Sequence, residues 1–126
     1  MAELSRVLAA AGGVVKTGYG AGALFAPDAM SRALLAPDVR GEPAARMSLR
    51  GFGGYLLAVG AATLCSAARG RGLRPILALN LLGEATDTAA GLLEWRARAR
   101  ADEMVLGSLG LSALGAATWI AALRAA

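Results

Sequence analysis

Two carboxylates, Glu84 and Asp87, lie near the middle of LALNLLGEATDTAAGLLEW, an apolar stretch long enough to cross a membrane. On a helix with 100° per residue, the polar and small residues of this stretch share an arc of about 80°: Asn80, Glu84, Asp87, Gly91 and Glu94. Leucines occupy most of the remaining helix surface. Carboxyl groups in a dry interior can accept and donate protons, so this face is a candidate acid/base site.

The charged residues of the other apolar stretches supply possible partners for these carboxylates. Counting about 1.5 Å per residue from the ends of each stretch puts Lys16 level with Glu84, and lets Arg50 reach towards Asp87. A lone charge at mid-bilayer costs at least ~2.5 kcal/mol on insertion scales, so each charge should find a partner. We therefore predict two ion pairs, Lys16 with Glu84 and Arg50 with Asp87.

These residues suggest a site that binds a small lipophilic substrate and isomerises, cyclises or hydrolyses it by acid/base catalysis. Glu84 or Asp87 would move a proton, while Lys16 or Arg50 would stabilise the negative charge that develops on the substrate. The polar side chains predicted at similar depth, which could orient that substrate, are Asn80, Tyr19 and Tyr55. Two other interpretations stay open: proton-coupled transport by an oligomer, and a charge cluster that only specifies how the helices pack.

Composition narrows the chemistry further. The 126 residues are 56% hydrophobic and 17% charged, which is too apolar for an ordinary soluble domain. The single Cys65 and the absence of histidine exclude a disulfide within the chain, thiolate cages and histidine-ligated metals. We expect no metal and no cofactor. The net charge is +4, but arginines punctuate apolar blocks and form no aromatic-interleaved runs, so we expect no nucleic-acid partner.

Four apolar blocks, at residues 4–26, 48–68, 74–94 and 103–123, are each close to the ~20 residues that a transmembrane helix needs. They predict one all-α domain over residues 1–126: an antiparallel four-helix transmembrane bundle in a bacterial cytoplasmic membrane. The connections SAARGRGLRP and RARARADE are short, which favours antiparallel neighbours. The first connection is longer and proline-rich, and it predicts a short interfacial helix with Met30, Ala33 and Leu34 on one face.

Smaller features indicate how the helices meet one another and the bilayer. Small residues four apart favour close helix packing, or alternatively a homodimer seam: Gly18 with Gly22, Gly54 with Ala58, and Ser108 with Ser112. Trp95 and Trp119 near helix ends predict interface anchors, and Cys65 a small packing residue. The arginines in the connections and near the ends of the blocks divide five against six between the two sides, which leaves the membrane orientation open.

The blocks GYGAGALFAPDAM and RGFGGYLLAVGAATL, with the basic loop that follows, resemble the small four-helix membrane proteins of the DoxX-like group of high-GC bacteria. This resemblance implies a four-helix membrane fold and an association with respiratory or redox assemblies, hence membership of a larger membrane complex. It implies no catalytic role for any residue. The chain is also similar in size to small multidrug exporters, but their acidic residue lies in the first helix, where this chain has Lys16.

Overall fold

The computed structural model describes residues 1–35, 37–98 and 103–126, and nearly all of them are helical. The helices are α1 (Ala2–Phe25), α2 (Pro27–Leu34), α3 (Pro43–Arg69), α4 (Leu73–Arg98) and α5 (Glu103–Ala125), with a short 3-10 helix at Pro37–Val39. No strand occurs in the described residues, so the all-α prediction is confirmed. The centre of the predicted turn RARARADE, residues 99–102, lies outside the described residues.

Three of the described helices are long and apolar enough to span a membrane: Pro43–Arg69, Leu73–Ala97 and Val105–Ala125. They indicate a membrane protein. Helix α1 has a similar length, but it carries Glu3, Arg6 and Lys16 and is not among these three helices.

Prolines and glycines set the ends of several helices. Pro43 occupies the first turn of α3, where a missing N–H costs no hydrogen bond, and α3 therefore begins earlier than the predicted block at 48. Pro27 opens α2, the predicted short helix, after the chain turns at Ala26. Between α3 and α4 the chain reverses over Gly70 and Gly72, whose φ angles of 63° and 69° suit glycine.

Helices α1 and α3 form the most extensive pair, and they approach closely through glycines spaced seven residues apart. A Cβ on Gly20 would lie 2.7 Å from the carbonyl oxygen of Gly53, and a Cβ on Gly60 would lie 3.0 Å from that of Gly13. This pairing of Gly20 with Gly53 and Gly13 with Gly60 makes the two helices antiparallel. Only residues without a side chain allow backbones to come this close.

Of the small residues predicted to pack, Gly22 lies against the Met30 side chain and Ser112 is buried, but the other four do not pack. A Cβ on Gly18 or Gly54 would meet nothing within 4 Å, and Ala58 and Ser108 are exposed. Spacing within one helix indicates which residues share a face, but it does not indicate which face a neighbour covers. The prediction for Cys65 is wrong for the same reason, because its side chain lies on an exposed face of α3.

The remaining long helices complete the arrangement. Helix α5 packs against both α4 and α1, whereas α3 and α4 contact each other less. An apolar core lies towards the end where α1 and α4 begin: Ala9, Ala67, Leu77, Trp119 and Ala122. At the same end the Arg6 guanidinium donates hydrogen bonds to the carbonyls of Ala67 (2.8 Å) and Ala68 (3.1 Å), which satisfies acceptors in the last turn of α3.

Candidate functional site

A salt bridge between Lys16 of α1 and Glu84 of α4 lies beyond this apolar core. The Lys16 Nζ atom is 3.1 Å from Glu84 Oε1, and the side chains keep only 15% and 11% of their surface exposed. Helices α1 and α4 otherwise touch each other little, so the pair reaches across the interior between them. The predicted pairing of Lys16 with Glu84 is confirmed.

Trp119 of α5 is the third member of this cluster, although its position near a helix end predicts a place at the membrane interface. Its indole Nε1 donates a hydrogen bond of 3.1 Å to Glu84 Oε1, and Lys16 Nζ lies 5.4 Å from the centre of its ring. The ammonium is therefore within cation–π distance of the indole. The side chain is only 2% exposed, so the prediction that Trp119 is an interface anchor is wrong.

Two glycines make room for this arrangement. A Cβ on Gly115 would lie 2.6 Å from the carboxyl carbon of Glu84, and one on Gly12 would overlap the Trp119 ring. The carboxylate thus lies directly against the backbone of α5, and the indole lies against that of α1. Gly12 and Gly115 are the only signs of these contacts in the sequence, and their role becomes clear only when the side chain on the neighbouring helix is known.

Both described donors contact the same oxygen of Glu84. Lys16 and Trp119 each approach Oε1, whereas Oε2 accepts no hydrogen bond from the residues that the structure describes. One oxygen therefore fixes the orientation of the carboxyl group, and the other keeps its lone pairs for a ligand. This division suits a general acid or base, whose reacting atom must be positioned but not occupied.

Asn80 lies one turn from Glu84 and is fully buried. Its amide nitrogen donates to Thr63 Oγ1 at 2.9 Å and to the Ile76 carbonyl at 2.8 Å. The amide oxygen of Asn80 and the hydroxyl of Thr17 are buried and have no hydrogen-bond partner among the described residues. The interior next to the ion pair thus contains polar atoms whose hydrogen-bonding capacity is not used.

The second predicted ion pair is wrong. Arg50 and Asp87 are both exposed, and within the described residues neither takes part in a salt bridge or hydrogen bond. Arg50 is turned away because α3 buries Leu49 and Gly53, which occupy neighbouring positions of the helix surface. Asp87 shares the face of Asn80, but its side chain is exposed, whereas Asn80 is buried against Thr63 of α3.

The two tyrosines predicted to bind substrate are both partly exposed, Tyr19 by 40% and Tyr55 by 48%. Tyr55 reaches α4: its hydroxyl lies 3.7 Å, and Lys16 Nζ 3.9 Å, from the position of a Cβ on Gly83. The phenol and the ammonium therefore lie over the same glycine, one turn before Asp87. Tyr19 is one turn from Lys16 on α1 and has no polar contact in the described part of the chain.

The arrangement differs from the predicted quartet in a chemically useful way. It holds one oriented carboxylate, one ammonium and one phenol, while Asp87 lies at the exposed margin and interacts electrostatically with Glu84 and Lys16. A single carboxyl group can shift a proton between two positions of a substrate, and the neighbouring cation and phenol can stabilise an oxyanion. Hydrolysis by an acid and a base together would need a second carboxylate inside the site.

No family model matches the chain, and neither does any curated protein or solved structure.

Proposed function

We propose that the protein is an integral membrane protein of a bacterial cytoplasmic membrane, with α1, α3, α4 and α5 as four antiparallel spans and α2 at the interface. Three of these helices have the length and hydropathy of spans, and α1 packs against α3 and α5 over a similar length. Helix α2 is short and connects α1 to α3 beside their ends, where its Asp28 pairs with Arg46 at 3.0 Å. The resemblance to the DoxX-like group favours the same arrangement.

Within this bundle, Glu84 transfers a proton on a small lipophilic substrate. The observation that carries this proposal is that the two oxygens of the carboxyl group have different surroundings. Lys16 and Trp119 both contact Oε1, and no described donor contacts Oε2. A carboxyl group that only stabilised the bundle would gain most if both oxygens accepted hydrogen bonds. The substrate reaches the pair between Tyr55 and Asp87, whose side chains are both exposed.

The reaction class that fits one carboxylate is isomerisation. Glu84 Oε2 removes a proton from a carbon next to a carbonyl group; the C–H electron pair forms a new C=C bond, and the π pair of the C=O bond moves onto the carbonyl oxygen. The Lys16 ammonium and the Tyr55 hydroxyl stabilise the resulting oxyanion. In a substrate with a C=C bond in the β,γ position the oxyanion is a dienolate, and the same carboxyl group returns the proton to the γ carbon as the C=O bond re-forms, so substrate and product have the same atoms. Asn80 orients the substrate through its unused amide oxygen.

A second function, that of a non-catalytic subunit of a larger membrane assembly, is favoured by a different observation. Glu84 forms a salt bridge with Lys16 and accepts a hydrogen bond from Trp119. The Trp119 ring packs against Gly12 and the Glu84 carboxylate against Gly115, which holds both side chains in place. Such a cluster can specify how apolar helices pack without any substrate. Proton-coupled transport would use the same carboxyl group, but it requires a path to both membrane surfaces.

Mass spectrometry of lipid-soluble metabolites distinguishes these functions. Cells and medium of the source organism would be compared for wild type, Glu84→Gln and the control Glu103→Gln, at matched amounts of folded protein. Gln keeps an oxygen for Trp119 but cannot accept the substrate proton. We expect an isomer of unchanged mass to fall by about 10² or more in Glu84→Gln, and wild-type membranes in D₂O to incorporate deuterium into it.

Glu103 lies at the exposed start of α5, so Glu103→Gln should leave both signals unchanged. Loss of the signals in both variants would show that the effect is not specific to the site. Redistribution of one compound between cells and medium, without a change of identity, would replace the enzyme proposal by transport. Identical metabolites in wild type and Glu84→Gln would leave the subunit function.

A further inference from the structure

A cavity of about 450 Å³ lies at the end of the protein where α1 and α4 begin, well away from the Lys16–Glu84 pair. Ser5, Arg6, Gly72 and Arg74 contribute to its walls. This volume lies within the range of small-ligand sites, which is roughly 300–1,000 Å³. The charges and polar atoms around the cavity indicate which ligand it would take.

The end that holds the cavity is strongly basic. It carries five arginines, Arg6, Arg69, Arg71, Arg74 and Arg124, against a single acidic side chain, Glu3. The opposite connections alternate arginine with aspartate and glutamate, as in Asp28 with Arg46 and in RARARADE. The concentration of cations without matching acids attracts an anion to this end in particular.

The cavity also offers hydrogen-bond donors that nothing in the described residues uses. The Ser5 hydroxyl is buried without a partner, and Ser5 lines the cavity. Arg6 uses two of its five N–H donors on the carbonyls of α3. The first residues of α4, Leu73 and Arg74, lie in the wall as well, and a helix start presents backbone N–H groups to an anion.

A groove of about 570 Å³ shares one wall residue, Arg6, with the cavity. The groove runs between α1 and α3, and apart from Glu3 and Arg6 its walls are apolar: Val7, Ala10, Leu64, Ala67 and Ala68. It lies on the side towards the middle of these helices. A ligand that filled both spaces would have an anionic group at the helix ends and an apolar chain along the helices.

We propose that this composite site binds an anionic phospholipid, with the phosphate in the cavity among Ser5, Arg6 and Arg74 and one acyl chain in the groove. The site is separate from the Lys16–Glu84 pair and does not depend on the proposed proton transfer. A free phosphate could bind the same donors and cations in the cavity, but it would not occupy the apolar groove. The position of Arg6 in the walls of both the basic cavity and the apolar groove is what favours the lipid.

The test is native mass spectrometry of the full chain released from nanodiscs that contain equal amounts of phosphatidylglycerol and phosphatidylcholine. Wild type should retain phosphatidylglycerol in preference to phosphatidylcholine. Removing one cation with Arg74→Gln should lower that preference about fivefold, as expected for roughly one charge at a headgroup. The matched control is Arg96→Gln, which removes an exposed arginine near the other end of α4 and should change nothing.

Two further measurements separate lipid from free phosphate. Ala68→Leu fills the groove with a side chain while Arg6 keeps its backbone acceptors, and it should displace the bound lipid about as strongly as Arg74→Gln. Inorganic phosphate at millimolar concentration should not displace it. Equal retention of both lipids, or an equal effect of Arg96→Gln and Arg74→Gln, would overturn the proposal. Displacement by phosphate together with unchanged binding by Ala68→Leu would also overturn it, in favour of a free anion.

Discussion

Removing one partner of the Lys16–Glu84 pair should destabilise the protein far more than removing both. Glu84→Leu leaves the Lys16 ammonium, whose side chain is only 15% exposed, without its counter-ion at 3.1 Å. An unpaired lysine at the centre of a membrane helix costs about 2.5–3.5 kcal/mol, and the indole of Trp119 also loses its acceptor, worth ~0.6 kcal/mol in membrane proteins. We expect the free energy of unfolding to fall by about 3–4 kcal/mol.

The double variant Lys16→Met/Glu84→Leu removes both charges together. Replacement of a buried ion pair by apolar residues of similar volume is often neutral or stabilising, because no charge remains to be desolvated. The Trp119 N–H still lacks its acceptor, so we expect the double variant to unfold within about 1 kcal/mol of wild type. The coupling energy equals the two single costs minus the cost of the double variant, so it should exceed the cost of Lys16→Met by at least about 2 kcal/mol, well above the error of additivity for independent sites.

The assay is equilibrium unfolding in mixed detergent micelles, followed by circular dichroism and by the fluorescence of the two tryptophans, of which Trp119 is buried. Wild type, both single variants and the double variant form one thermodynamic cycle. If Glu84→Leu and Lys16→Met each cost less than about 0.5 kcal/mol, or if their effects simply add, the two charges do not form the buried pair described above. A folded double variant would also allow the metabolite experiment to be repeated without any loss of stability.

Two glycine pairs test the packing with matched controls. Gly115→Ala forces a methyl group into the Glu84 carboxylate and should cost about 1–3 kcal/mol in the same unfolding assay, whereas Gly110→Ala on the same helix meets nothing and should be neutral or slightly stabilising. Gly20→Ala places a methyl group against the backbone of α3, which cannot rotate away, so it should destabilise by at least as much, while Gly18→Ala should not. Equal stability within either pair would show that the helices do not approach as described.

The apolar blocks and one ion pair could be predicted from the sequence because each depends on a property of single helices. Block length and hydropathy indicate a helix that can span a membrane. Counting residues from the helix ends places Lys16 and Glu84 at the same depth, because neighbouring helices are expected to be antiparallel. The cost of an isolated charge in lipid then favours the pairing, and the structure forms it.

Features that depend on how neighbouring helices are rotated could not be predicted. The face that carries Asn80 and Asp87 was correctly identified, but whether α3 covers it at both residues depends on how α3 and α4 meet along their length. Trp119 was expected at an interface from its position near a helix end, whereas a glycine on α1 makes space for its ring inside the protein. These contacts join residues on different helices, from Asn80 with Thr63 to Gly12 with Trp119, so no periodic pattern within one helix predicts them.

The charges that lower the hydropathy of α1 and α4 include the two that pair these helices, Lys16 and Glu84. A hydropathy threshold counts every residue as if it faced lipid, so Lys16 weakens the signal of α1, just as Glu84 and Asp87 weaken that of α4. In the proposed four-span arrangement, the residues of α1 that are buried between helices are small: Ser5, Ala9, Gly13, Gly20 and Ala23. Lys16 is neutralised by Glu84 and does not face lipid as an isolated charge. Insertion of α1 should therefore depend on Glu84, because the residue that makes α4 less apolar is the one that makes Lys16 acceptable in the membrane.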